Sequence, residues 1–133
     1  MRMGLDTSVV LRLLTGEPES LAVLATRRVE SRLLRGDTVL VSDLVVSEAY
    51  FALQHHYGLS KARALDVLGE FLRQSGIEAV GSAKRILGTA NLAAARPGLV
   101  DRLIHAEYQQ VADEMLTFEK AAARLPRARV LQG

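Results

Sequence analysis

Five short β-leaning runs alternate with helical stretches along this chain, and that alternation limits the possible folds more than any other feature. Met1 to Leu5, Thr38 to Val41, Ile77 to Val80, Met115 to Phe118 and Val130-Leu131 read as strands. Helical patterns fall at roughly 7–15, 18–35, 43–57, 60–74, 83–95, 99–112 and 119–124. Strands separated by helices do not pair as tight hairpins. A parallel ladder needs a long crossover and the intervening helix supplies it, so the expected class is α/β with a mainly parallel sheet. Ser42 or Asp43, Ser60 and Ser82 stand where helices should be capped, and Gly36, Gly58 and Gly76 where they should stop. Ala95-Arg96-Pro97-Gly98 reads as a turn. With 133 residues, 49% of them apolar, and no repeat or linker, residues 1–133 are expected to form one domain with a buried core.

In parallel sheets ligands bind at the carboxyl ends of the strands. Asp6 and Glu119 fall at two such ends, and Asp43 and Glu48 follow a third strand. Asp101 opens the helix after Pro97-Gly98. If Asp6, Glu48, Asp101 and Glu119 converge, they form an all-oxygen donor set for a hard divalent cation, and so a candidate active site. Each acid also has a plainer reading. Asp6 suits the N-cap of the next helix. Asp101 and Glu119 each suit a first helical turn, where negative charge favours the helix dipole. Glu48 shares a helix face with Leu44, Phe51 and Ala52, so its carboxylate starts from an apolar side and needs a cation, a proton or a partner. No Lys or Arg lies within four residues of it, and His55, two turns on, is the nearest alternative partner. The plainer reading of Glu48 is a partly exposed residue at the helix edge. His105 is the i+4 neighbour of Asp101, in a polar stripe with Arg102 and Gln109. Thr7 and Ser8 add short hydroxyls able to orient a carboxylate or a bound water.

Charge and composition narrow the function classes. The net charge is +2; with the four acids set aside, 17 basic residues face 11 acidic ones, leaving about +6 elsewhere. An acidic hole in a basic surface suits a substrate made of phosphates. Arg12, Arg27, Arg28, Arg32 and Arg35 are candidates for phosphate contact, or else a solvated helix face. The absence of cysteine excludes thiolate metal sites and a cysteine nucleophile, and suits a reducing cytoplasm. The first residues lack an apolar signal-peptide region, and a run such as Ala49 to Leu53 falls far short of the roughly 20 residues of a spanning helix, so no membrane segment is expected. With three Tyr, three Phe and no Trp, base stacking on aromatic rings is not expected to be the main binding mode.

The spaced set Leu5-Asp6-Thr7-Ser8, Ser47-Glu48-Ala49, Val100-Asp101-Arg102-Leu103-Ile104-His105 and Leu116-Thr117-Phe118-Glu119-Lys120 resembles PIN-domain ribonucleases, most of all the VapC-type toxins of toxin–antitoxin pairs. The resemblance spans nearly the whole chain, including Arg12-Leu13-Leu14-Thr15-Gly16 and Tyr57-Gly58-Leu59-Ser60. It implies a PIN-like three-layer domain, a central sheet flanked by helices. It also implies a cytoplasmic endoribonuclease dependent on Mg2+ or Mn2+, forming a homodimer and held by a cognate antitoxin whose segment covers the site. By position, Asp6, Glu48 and Asp101 match the family's most characteristic acids. Asp6 and Asp101 would be direct or water-mediated metal ligands, with Glu48 and Glu119 completing the shell or holding the attacking water. Thr7, Ser8, Thr117 and His105 would orient substrate or the carboxylates, with a structural role as the alternative for His105. Two positions depart from the pattern: Glu119 stands where aspartate is usual, and Arg102 follows Asp101 where a small residue is usual. A longer side chain at 119 reaches through water, shifts the preference toward manganese, or fails to reach. The alternative is therefore a catalytically weak or inactive module of the same fold that acts by binding nucleic acid or an antitoxin.

Two further readings rank lower. Gly76-Ile77-Glu78-Ala79-Val80-Gly81-Ser82 has the glycine spacing of a phosphate-binding loop, but Ser82 stands where lysine is needed and the interior reads as a strand. His55 and His56 are adjacent, so on a helix they point about 100° apart and do not readily share an ion.

Overall fold

The computed structural model describes residues 1–132. Its elements are β1 (Arg2–Gly4), α1 (Thr7–Thr15), α2 (Glu19–Leu34), β2 (Thr38–Val41), α3 (Asp43–His55), α4 (Lys61–Leu72), β3 (Ile77–Ala79), α5 (Ala83–Leu87), α6 (Leu99–Gln109), β4 (Met115–Thr117), a 3-10 turn (Lys120–Arg124) and β5 (Ala128–Val130). The strands β1, β2 and β3 lie side by side in that order and all parallel, with Met3 opposite Val39 and Val39 opposite Ile77. Two helices cross over between each successive pair, as the alternation of patterns predicts. The middle strand is covered: Val39 and Val41 are buried, together with Val10, Val46, Leu53, Leu68, Leu72 and Leu99 from the surrounding helices.

The last two strands depart from a single shared edge. β4 pairs in parallel with β5 as a separate ribbon, and β1 pairs with β2 alone. Asp6 and Glu119 therefore close strands of two different sheets. The ribbon is fastened to α6. The His105 Nε2 lies 2.7 Å from the Pro126 carbonyl oxygen, and the Arg127 guanidinium donates to the carbonyls of Gln109 at 3.1 Å and Ala112 at 3.2 Å. That guanidinium places positive charge against the carbonyl end of α6, the favourable end for a cation.

Caps explain where the helices begin. Ser42 accepts from the Val45 N–H and Ser60 from the Arg63 N–H, so Ser42 rather than Asp43 caps α3. Ser82 precedes α5 but its side chain makes no capping bond. The carboxylate of Asp43 reaches across instead and accepts from the N–H groups of Ser82 and Ala83, both at 3.0 Å. Gly81 makes that clasp possible, because a Cβ there would fall on the Asp43 carboxylate. The expected helix over 83–95 ends at Leu87: Gly88 follows, and Asn91 adopts φ 56°, outside the helical region.

Asp37 ties the N-terminal strand to α2. Its carboxylate accepts from Arg32 Nε at 2.7 Å and from the Met1 ammonium at 3.1 Å. The Arg32 hydrogen bond first, and the ammonium second, hold its carboxyl below the usual range. A depressed folded pKa means that the unfolded chain takes up the proton first on acidification. The stabilisation is present above the unfolded aspartate value of about 3.9 and is lost as pH falls through the folded value. Urea unfolding of wild type and Asp37→Asn should therefore differ at pH 6 and converge toward pH 3. A difference that is constant with pH would contradict this assignment.

Candidate active site

Asp6 leaves β1 in an extended conformation, and its main-chain carbonyl accepts the first helical bonds of α1, from the Val9 and Val10 N–H groups. Its side chain makes no capping bond. The carboxylate is exposed, and its Oδ2 accepts a 3.2 Å bond from the Ser8 hydroxyl. Position 6 thus serves as a helix start through its backbone while the charge stays available. One residue on, the Thr7 hydroxyl donates to Glu48 Oε1 at 2.7 Å. The first turn of α1, which Asp6 opens, and the middle of α3 are joined there.

Glu48 is exposed. The buried side of α3 is Val45, Val46, Ala49, Tyr50 and Leu53, whereas Leu44 and Phe51, on the Glu48 face, are 77% and 49% exposed. That apolar face looks outward, which is why the carboxylate needs no basic partner. His55 is not its partner: its ring stacks on Phe51, centroids 6.2 Å apart.

The second pair of acids rides on α6 and the ribbon. Asp101 is exposed in the first turn of α6, whose start is held by Arg102 Nε donating to the Pro97 carbonyl at 2.7 Å. Asp101, Thr117 and Glu119 line one cleft of about 170 Å³ together with Ile104, Tyr108 and Leu116. Thr117 Oγ1 accepts from the Glu119 N–H at 3.0 Å, and Glu119 Oε1 from the Ala121 N–H at 3.3 Å. Thr117 therefore shapes the turn, and Glu119 spends one oxygen capping the 3-10 segment. His105 takes a structural role rather than orienting a carboxylate. It is 5% exposed and faces Pro126, so Nε2 carries the proton that the carbonyl accepts.

The four acids thus stand as two pairs, Asp6 with Glu48 and Asp101 with Glu119. Among the described residues no three His, Asp or Glu side chains gather around a common point that could hold a metal ion. Two other features of the strand ends have structural roles. Asp43 is committed to the α5 clasp, and the glycine-spaced run at 76–82 contains β3 and a glycine pressed against that carboxylate rather than an open phosphate loop. Of the five arginines, Arg32 is engaged by Asp37. Tyr108 and Ile104 were not singled out as site residues, although spacing from Asp101 along the helix places both beside it.

The PIN domain family model matches residues 3–128. The chain belongs to the PIN domain family. A solved structure described as VapBC2 from Rickettsia felis bound to a DNA fragment from their promoter is similar at 17% identity, with 98% of each chain covered and a TM-score of 0.44. No curated protein matches the chain.

PIN domains are in general nucleases that use divalent metal ions, and the donors here suit such an ion in kind. All four side chains are carboxylates, exposed enough to leave a cation its water. Magnesium keeps several waters and is commonly held by one or two carboxylates together with substrate phosphates. Each pair in this PIN domain supplies two carboxylates, which fits that mode rather than an all-protein cage.

Proposed function

We propose that this PIN domain is a metal-dependent endoribonuclease of the VapC type, the toxin of a toxin–antitoxin pair. The observation that carries the reading is the state of Asp6. It sits at a helix N-cap yet spends no side-chain oxygen on capping, and the Thr7 bond to Glu48 brings a second carboxylate to the same turn. Asp6 and Glu48 would hold a Mg2+ or Mn2+ ion, with Asp101 and Glu119 completing the acidic face. A bound divalent cation would supply an acidified water and charge neutralisation at the phosphate. Ser8 fixes the Asp6 carboxylate and Thr7 that of Glu48, so neither has to be ordered when substrate arrives. The second oxygen of Glu119 would hold a water in the cleft that Glu119 lines. A homodimer, an antitoxin segment covering the site and a cytoplasmic location complete the proposal. No described helix is long and apolar enough to cross a membrane.

A second reading, a weakly active module working through its partner, is favoured by one observation: Glu119 is half spent on its local cap. One assay separates the two. The protein is incubated with labelled single-stranded RNA, and with DNA of the same sequence, in Mn2+, in Mg2+ and in EDTA. Internal cleavage of RNA that EDTA abolishes is the expected result. If wild type is silent and Glu119→Asp cuts, the module reading replaces the nuclease reading.

A further inference from the structure

Three of the six aromatic residues are buried or half-buried, namely Tyr50, Tyr57 and Phe71. The other three are exposed: Phe51 and Tyr108 at 49% each, and Phe118 at 74%. Each exposed ring belongs to a segment that carries a candidate carboxylate. Phe51 is three residues from Glu48 on α3, Phe118 adjoins Glu119, and Tyr108 is seven residues from Asp101 on α6. Seven residues are close to two helical turns, so Tyr108 and Asp101 share a face. Tyr108 also lines the cleft that holds Asp101, Thr117 and Glu119, with Ile104 and Leu116 beside it. Its hydroxyl makes no hydrogen bond among the described residues.

A cleft with two carboxylates repels a phosphate backbone until a cation arrives. Attraction that does not depend on charge is what such a cleft lacks, and an aromatic face supplies it: every nucleobase has a π-face, and unstacked bases of single-stranded RNA are recognised by stacking. The low aromatic count argues against stacking as a main mode, but placement matters more than number. Resting on the nuclease reading above, we propose that Tyr108 is a base-stacking residue that seats one nucleobase of single-stranded RNA over the cleft between Asp101 and Glu119. It would thereby set the register of the RNA strand across the acidic face.

The test uses a short single-stranded RNA carrying 2-aminopurine, whose fluorescence is quenched on stacking, with wild type, Tyr108→Phe and Tyr108→Leu. Quenching is read first in EDTA and again in Ca2+, which screens the carboxylates, and cleavage is then followed in Mn2+. Wild type and Tyr108→Phe should both quench the probe. Tyr108→Leu should lose the quenching and raise KM about ten-fold with kcat little changed. Thermal midpoints of the three proteins report folding separately. Absence of quenching by wild type overturns the proposal, as does a Tyr108→Leu protein with unchanged quenching and KM. Equal loss in Tyr108→Phe and Tyr108→Leu also overturns it, since the hydroxyl rather than the ring would then be at work. Ring-dependent quenching with no cleavage by wild type leaves the stacking in place and removes the nuclease reading instead.

Discussion

Asp6→Asn should lower metal-dependent RNA cleavage by at least about a hundred-fold while leaving the thermal midpoint near that of wild type. The two halves of this expectation have separate causes. Stability is spared because the Asp6 side chain makes no capping bond and asparagine is as good a cap residue as aspartate. The asparagine carbonyl can still accept from the Ser8 hydroxyl, so the local geometry is kept. What is lost is the negative charge that would hold a divalent cation beside Glu48. Initial rates measured over a manganese titration check both parts. An Asp6→Asn protein that cuts like wild type at every concentration removes Asp6 from the chemistry.

Leu53→Ala is the substitution with the largest expected cost to folding. Leu53 is 1% exposed, on the side of α3 opposite Glu48, within the core that also holds Val46, Leu68 and Leu72. Truncating a buried leucine removes its transfer energy and leaves a cavity, together about 2–5 kcal/mol. For a domain of this size that lowers the midpoint by roughly 10 °C. Because α3 carries Glu48 against α1 through Thr7, activity at 25 °C should fall less than stability as long as the helix stays seated. Calorimetry and the cleavage assay on one sample separate the two effects. A midpoint unchanged by the substitution would mean that the core refills around the shortened side chain or that Leu53 contributes little to it.

The order of elements was legible in the sequence because each strand is a short apolar run set between helical patterns. Their ends were less so. The helix over 83–95 looked continuous by composition, yet Gly88 and the left-handed Asn91 end it after one turn, and β5 runs from Ala128 rather than from Val130. Helical phase also misjudged Glu48. α3 is apolar nearly all round, with Leu44 and Phe51 on one side and Val45, Val46, Ala49 and Leu53 on the other, so periodicity could not tell which arc meets the core. For His105, spacing from Asp101 suggested a carboxylate partner. Its actual acceptor, the Pro126 carbonyl, lies 21 residues away and no local pattern signals it. The split between the main sheet and the ribbon was likewise invisible, because strand identity does not specify which edges meet.

Asp43 and Gly81 lie 38 positions apart in the chain, yet at the sheet edge they behave as a single unit. The carboxylate occupies the space that any side chain at 81 would need, and the N–H groups it holds at Ser82 and Ala83 have no other cap. Neither residue can therefore drift alone. A change at 81 evicts the carboxylate, and a change at 43 strands the helix start while leaving an empty space at 81. The absence of a side chain at 81 is thus set by a carboxylate from the start of α3, and the start of α5 by an acceptor that α5 does not itself contain.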